Sequence, residues 1–188
     1  MKNLKSIALA LVVVLSTVSV TAQTKKVDAS ASTVKWVGKK VTGQHEGTVN
    51  VKDGALVFAG KKLTGGTFTV DMTSLTSTDL SGEYLGKLNG HLKSEDFFGT
   101  EKFPTSTLVF KTIGAKAKDV YTVTADLTIK GKTNPVTFDI AVIGNTASTK
   151  FKVDRTKYDI KYGSGSFFDN LGDKAISDDF DLAVALKF

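Results

Sequence analysis

Cysteine is absent from the sequence, so no disulfide can staple the chain and no thioether-linked lipid can be attached to it. Histidine is scarce: His45 and His91 are the only two, far apart and without cysteine partners. They lack metal-site spacing and read as solvated or hydrogen-bonded side chains, so no metal is expected. No basic run exceeds two residues, and no basic stripe alternates with aromatics, which argues against nucleic-acid binding. There is no Gly-x-Ser-x-Gly elbow, no phosphate loop, and no carboxylate pair that spacing alone establishes. The sequence therefore offers no catalytic residue and implies no cofactor.

Long hydrophobic runs are also missing. The longest, Ile7 to Val20, has 14 residues, short of the roughly 20 needed to span a bilayer. Lys2 and Lys5 precede it, and Val20-Thr21-Ala22 before Gln23 supplies small residues suited to a signal peptidase. Residues 1–22 thus read as a cleaved secretory signal. Residues 23–188 are then one exported domain, periplasmic or secreted, with no stable membrane anchor after cleavage. It carries 23 basic against 19 acidic residues and depends on its hydrophobic core.

What is present is alternation. Tyr121, Val123, Ala125, Leu127 and Ile129 alternate with polar residues, and Val136, Phe138, Ile140 and Val142 do so again after Gly131-Lys132-Thr133-Asn134-Pro135. Period two places each set on one face of a strand, and the break reads as a turn, so the stretch forms an antiparallel hairpin. Similar strands are expected at Thr33–Gly38, at Gly47–Lys52 turning through Asp53-Gly54 into Ala55–Ala59, and around Phe68, Val70 and Met72. Others are expected around Ser106, Leu108 and Phe110, around Phe151, Val153 and Arg155, and from Phe180 to Phe188. Eight or more one-faced strands make an all-β, antiparallel domain that buries its apolar face on itself. Periodicity leaves a sandwich and a closed barrel equally open. It also leaves open whether a barrel would be filled or hollow.

Two segments depart from the pattern. Leu85, Leu88 and Leu92 fall at helical spacing between Asp79 and Phe98. Gly163 to Gly172 is a glycine-rich loop that nonetheless carries Phe167 and Phe168, and is expected near an entrance.

Several blocks together resemble the YceI-like family of lipocalin-like, polyisoprenoid-binding proteins. They are Trp36 with Gly43-Gln44-His45-Glu46-Gly47, Val70-Asp71-Met72-Thr73-Ser74-Leu75, and His91 to Phe98 with Phe103-Pro104. Leu127-Thr128-Ile129-Lys130-Gly131-Lys132-Thr133-Asn134-Pro135-Val136 follows, then Val153-Asp154-Arg155 and Ile176-Ser177-Asp178. The resemblance implies an eight-stranded antiparallel barrel with one helix covering a mouth and an apolar tunnel for a long isoprenoid, quinone-like or related lipid. Asp159 stands where the family often has glycine, and Gly99 where it often has an acid.

On this reading Val123, Leu127, Ile129, Phe138, Ile140, Phe151, Val153, Leu182, Val184 and Leu186 are candidates to line the tunnel, against the alternative that they simply fill the barrel. Leu85, Leu88, Leu92, Phe97 and Phe98 are candidates for its mouth. Arg155, in phase with apolar residues, must meet a carboxylate, a carbonyl or a ligand head group; Asp154, Asp159 and Asp178 are the partners to examine. The expected activity is lipid binding in the bacterial envelope, with transport or storage as its use. A lipid-modifying enzyme and a filled structural or stress-response barrel are the alternatives, and a homodimer stays open.

Overall fold

The computed structural model describes residues 21–188. The expected signal segment therefore lies almost wholly outside the described residues, and Ala22 already begins a strand. The elements are β1 (Ala22–Lys26), β2 (Thr33–Lys40), β3 (Gly43–Ala59), β4 (Lys62–Ser77) and a helix α1 (Gly82–Lys93). Then follow β5 (Thr105–Ala117), β6 (Val120–Ile129), β7 (Lys132–Ile143), β8 (Thr146–Asp154) and β9 (Ile176–Lys187). Neighbouring strands are antiparallel, and the sheet closes because β3 also pairs with β4. β2 pairs with the first part of β3 and β1 with its last part, so β1 and β2 together occupy one stave. The result is an eight-stranded antiparallel barrel with one helix.

Local chemistry corrects three expectations. Asp53-Gly54 is not a hairpin turn but lies inside β3, opposite Thr69 and Phe68. Its glycine serves packing: a Cβ there would stand 2.6 Å from the Phe68 ring. The five-residue break after Ile129 is a two-residue turn. Lys130 (φ 51°) and Gly131 (φ 72°) both take positive φ, which matches the twist of a tight hairpin. Pro135 consequently sits within β7, opposite Asp126, where β7 has no pairing with β8 and a missing N–H costs no ladder bond. Finally, β8 ends at Asp154, and Arg155–Tyr158 form a 3-10 turn. Asp159 closes that turn in the left-handed region at φ 61°, ψ 32°. Glycine would take that conformation at lower cost.

The barrel's two ends differ. At the end carrying the β3–β4, β5–β6 and β7–β8 hairpins, Leu56, Leu63, Val123 and Ile140 are almost fully buried. Phe68–Phe110, Phe110–Phe138 and Phe138–Phe151 ring centroids lie 5.5, 6.0 and 4.6 Å apart, forming a belt across the bore. At the other end the pairing runs out. β4 pairs with β5 only from Thr67 to Asp71, although it continues to Ser77. β7 pairs with β8 only from Ile140 to Ile143.

Each gap is patched. The free edge of β4 receives Asn89 Oδ1, which accepts from the Ser77 amide at 2.9 Å, and Lys93 Nζ, which donates to Thr73 O at 2.7 Å. The Met72 amide donates to Pro104 O, so the helix and the loop after it cover an edge that would otherwise be left unpaired. The β7–β8 gap is bridged by Asn134 Nδ2, which donates to Lys157 O at 2.9 Å, with Val153, Tyr158 and Ile160 buried alongside.

Candidate functional site

The patched end is hollow. A cavity of about 140 Å³ is lined by Val34, Trp36 and Gly38 of β2, Val49 of β3, and Val70, Met72 and Leu75 of β4. Ser106, Leu127 and Ile129 follow from β5 and β6, with Leu92, Phe97 and Phe98 from the helix end, then Arg155, and Ile176, Ser177, Asp179, Phe180 and Leu182 near and on β9. Its walls are almost wholly apolar. None of the four belt rings lines it, so it ends inside the barrel as a blind pocket, not a tunnel. Exposed Ser177 and Asp179 mark its rim. A dry cavity of about 150 Å³ admits a benzene-sized molecule, so the pocket as it stands encloses a few carbons only.

Trp36 forms a wall because Gly47 opposite leaves it room. A Cβ on Gly47 would stand 2.5 Å from the indole and 2.0 Å from the Thr76 carbonyl oxygen. Trp36 Nε1 and Ser106 Oγ have no hydrogen-bond partner in the protein, yet both atoms are themselves covered. The pocket therefore presents hydrocarbon to whatever enters it.

Arg155 is 3 % exposed, and its guanidinium is spent on backbone carbonyls. Nε donates to Ser177 O at 2.9 Å, Nη1 to Ile160 O at 2.8 Å and Nη2 to Ile176 O at 3.0 Å. Of the three candidate carboxylates, Asp178 is the near one, at 3.7 Å from Nη2; that is a charge contact beyond direct hydrogen-bond reach. Asp154 instead accepts from Thr156, and Asp159 pairs with Lys161. Burial draws the Arg155 pKa below its usual value, while Asp178 and then Asp154 oppose the shift. Burial likewise pushes the neighbouring Tyr158 hydroxyl up to about 12, with Asp154 adding to it. Arg155 thus ties the 3-10 turn to the start of β9, and its ring contact is with Phe97, 5.9 Å away.

The sequence candidates divide by height in the barrel. Leu127, Ile129 and Leu182 line the pocket, as do Leu92, Phe97 and Phe98 at its mouth. Val123, Phe138, Ile140, Phe151, Val184 and Leu186 belong to the core around and beyond the belt. Val153 is buried beside the pocket with Tyr158 and Ile160. Leu85 and Leu88 are half-buried on the helix away from the lining. Trp36, Val34, Val70, Met72, Leu75 and Phe180 complete the wall although they were not among the candidates; the apolar phases of β2, β4 and β9 contained them.

The histidines lie outside the pocket. His45 Nδ1 is 2.8 Å from Asp79 Oδ2, and His91 stands edge-on to Phe97 and Tyr162, at 4.9 and 4.5 Å. Among the described residues no group of three or more ligating side chains could hold a metal. A wider depression of about 670 Å³ lies on the outer face of β2, β3, β8 and β9, bordered by Lys35, Glu46, Lys150, Lys152 and Asp181. Trp36, Val37, Phe151, Leu182 and Ala183 line it between those charges.

Comparison with known proteins agrees with this architecture. Residues 26–188 match the family described as YceI-like domain. A UPF0312 protein of Shewanella denitrificans is 32% identical over 98 residues, 52% of this chain and 49% of that protein. Protein YceI of Escherichia coli O157:H7 is 34% identical over 98 residues with the same coverage. The chain thus spans about half the length of the curated relatives it matches. Among solved structures, BcnA of Burkholderia cenocepacia superposes with a TM-score of 0.63 at 23% identity, covering 85% of this chain and 98% of that one. A polyisoprenoid binding domain from Saccharophagus degradans gives 0.57 at 15%, covering 86% and 95%. At these identities the structural likeness concerns the fold.

Proposed function

Because the chain belongs to the YceI-like family, we propose that its pocket binds the end of an isoprenoid or comparable lipid chain, a quinone tail being one such ligand. The observation that carries this reading is a blind cavity, almost wholly apolar, enclosed at one end of an otherwise filled barrel. A fold neighbour described as a polyisoprenoid binding domain supports it. So does Arg155, whose guanidinium faces three carbonyls and a carboxylate and is not free for a substrate. The reading is of a binding module in the bacterial envelope, periplasmic or secreted, consistent with an export signal over residues 1–22. Carrying or storing lipid is its use.

The magnitudes define the binding mode. At roughly 0.8 kcal/mol per buried CH₂, about six enclosed carbons contribute about 5 kcal/mol gross, from which the costs of association are subtracted. A tight complex with a long chain thus requires the pocket to grow. Leu92, Phe97 and Phe98 lie outside the sheet, so moving them breaks no strand pairing. With almost no polar surface open inside the cavity and Ser177 and Asp179 at its rim, the hydrocarbon end enters and the head group stays outside.

The test uses Trp36, the only tryptophan in the chain and part of the wall. Lipid extracted from protein purified from its native host should contain a prenyl or similar chain by mass spectrometry, and farnesol should shift Trp36 emission saturably. Protein free of lipid, with emission indifferent to farnesol, refutes the reading.

A further inference from the structure

We propose that the rim of the hollow end docks on the surface of a net-neutral lipid bilayer through Tyr162, Phe167, Phe168 and Val41. This rests on the lipid-binding reading above and adds where the lipid is met. Val41 is 67% exposed, Tyr162 47%, Phe167 49% and Phe168 51%. All four belong to the open end. Val41 is at the tip of the β2–β3 hairpin, and the others are in the loop between the 3-10 turn and β9.

The loop is held in place. The Ile176 amide donates to Gly163 O, the Val41 amide donates to Ala175 O, and Ser164 bridges Ile176. Ser164 O accepts from the amides of both Phe167 and Phe168, turning the chain so that the two rings are presented together. The patch is continuous with the pocket, because Tyr162 packs 5.7 Å from the ring of Phe97, which lines the cavity.

Charge identifies the occupant. Lys39 is engaged by Asp181 and Lys161 by Asp159. Lys40 and Lys174 then stand against Asp169, Asp173 and the rim's Asp179 on these same segments, so the patch has no basic excess. Half-exposed aromatic rings without a basic cluster complement the interfacial zone of a neutral bilayer. They do not complement an anionic surface, which selects basic clusters. An apolar chain leaving such a bilayer would pass from lipid to Phe97 without crossing water.

The chain beginning at Gln23 contains every strand of the barrel except the first residue of β1 and lacks the apolar run of residues 7–20, which would bind vesicles by itself. It should float with phosphatidylcholine vesicles, and Phe167→Ser with Phe168→Ser should weaken that partition by about tenfold or more. Added phosphatidylglycerol or salt should change it little, and farnesol binding read from Trp36 should be the same in both proteins. If farnesol binds but the unaltered protein ignores vesicles, or the double variant floats equally well, docking is wrong while the pocket stands. Recruitment only by anionic vesicles, or a dimer that the double variant dissolves, overturns the proposal as well. Loss of farnesol binding in both proteins instead sinks the pocket reading.

Discussion

The two ends of this barrel are built from the same alternating strands, yet one is solid and the other hollow. At the solid end the strands stay paired to their hairpins, and rings from β4, β5, β7 and β8 meet across the bore, with Phe138 and Phe151 just past the last β7–β8 pair. At the hollow end β4 loses β5 after Asp71 and β7 loses β8 before Ile140. A helix, a loop and a 3-10 turn patch the unpaired edges. The hollow does not arise from small side chains, since Trp36, Met72, Phe97, Phe98 and Phe180 surround it. It lies where the edges of β4 and β7 run past their ladder partners and are covered by elements outside the sheet.

The contrast can be strained from either side. Arg155→Met should be the most damaging change, costing about 3–5 kcal/mol, since it strips three carbonyls and Asp178 of their partner; urea unfolding measures it. Phe138→Ala removes a belt ring at the solid end and should cost about 3 kcal/mol or more, leaving farnesol affinity per folded molecule nearly unchanged. Leu127→Trp at the hollow end should do the reverse, abolishing farnesol binding with a destabilisation below about 2 kcal/mol, because the added ring occupies existing space. Equal effects of the last two changes on binding would erase the distinction between the ends.

Smaller effects come from the rim and the patch. Burial raises the Asp79 pKa, but hydrogen bonds from Ser77, His45 and the Glu46 amide outweigh it and bring the carboxyl from 3.8 to about 2. A carboxyl depressed on folding stabilises above its unfolded pKa and loses that contribution as pH falls through its folded value. The melting-temperature gap between the native protein and Asp79→Asn should therefore be full above about pH 4 and shrink toward pH 2. A gap constant across that range contradicts the assignment. Least of all, Tyr158→Phe removes a buried hydroxyl without a partner and should leave stability unchanged or raise it by up to about 1 kcal/mol.

Period-two alternation made the faces of β6, β7 and β9 legible, and with the family resemblance it led to an antiparallel barrel. It could not give height. Leu127 and Phe138 both face inward, but strand register sets one in the pocket wall and the other in the belt. β1 was illegible because Ala-Gln-Thr-Lys-Lys has no apolar phase and is held by pairing with β3. Asp53-Gly54 misled because the hairpin signature describes a glycine with positive φ, whereas Gly54 provides clearance for Phe68. Trp36 stood out as the lone tryptophan, but its place in the wall depends on Gly47, eleven residues away, and only the β2–β3 register brings them together.

A crystal structure of the protein with farnesol decides the matter most directly. The bound carbons should touch Leu127, Ile129 and Leu182 and stop on the Trp36 side of the ring formed by Phe68, Phe110, Phe138 and Phe151. A chain threaded past Phe138 toward Phe58 and Phe188 would show a through-channel instead, and contradict a barrel that is solid at one end.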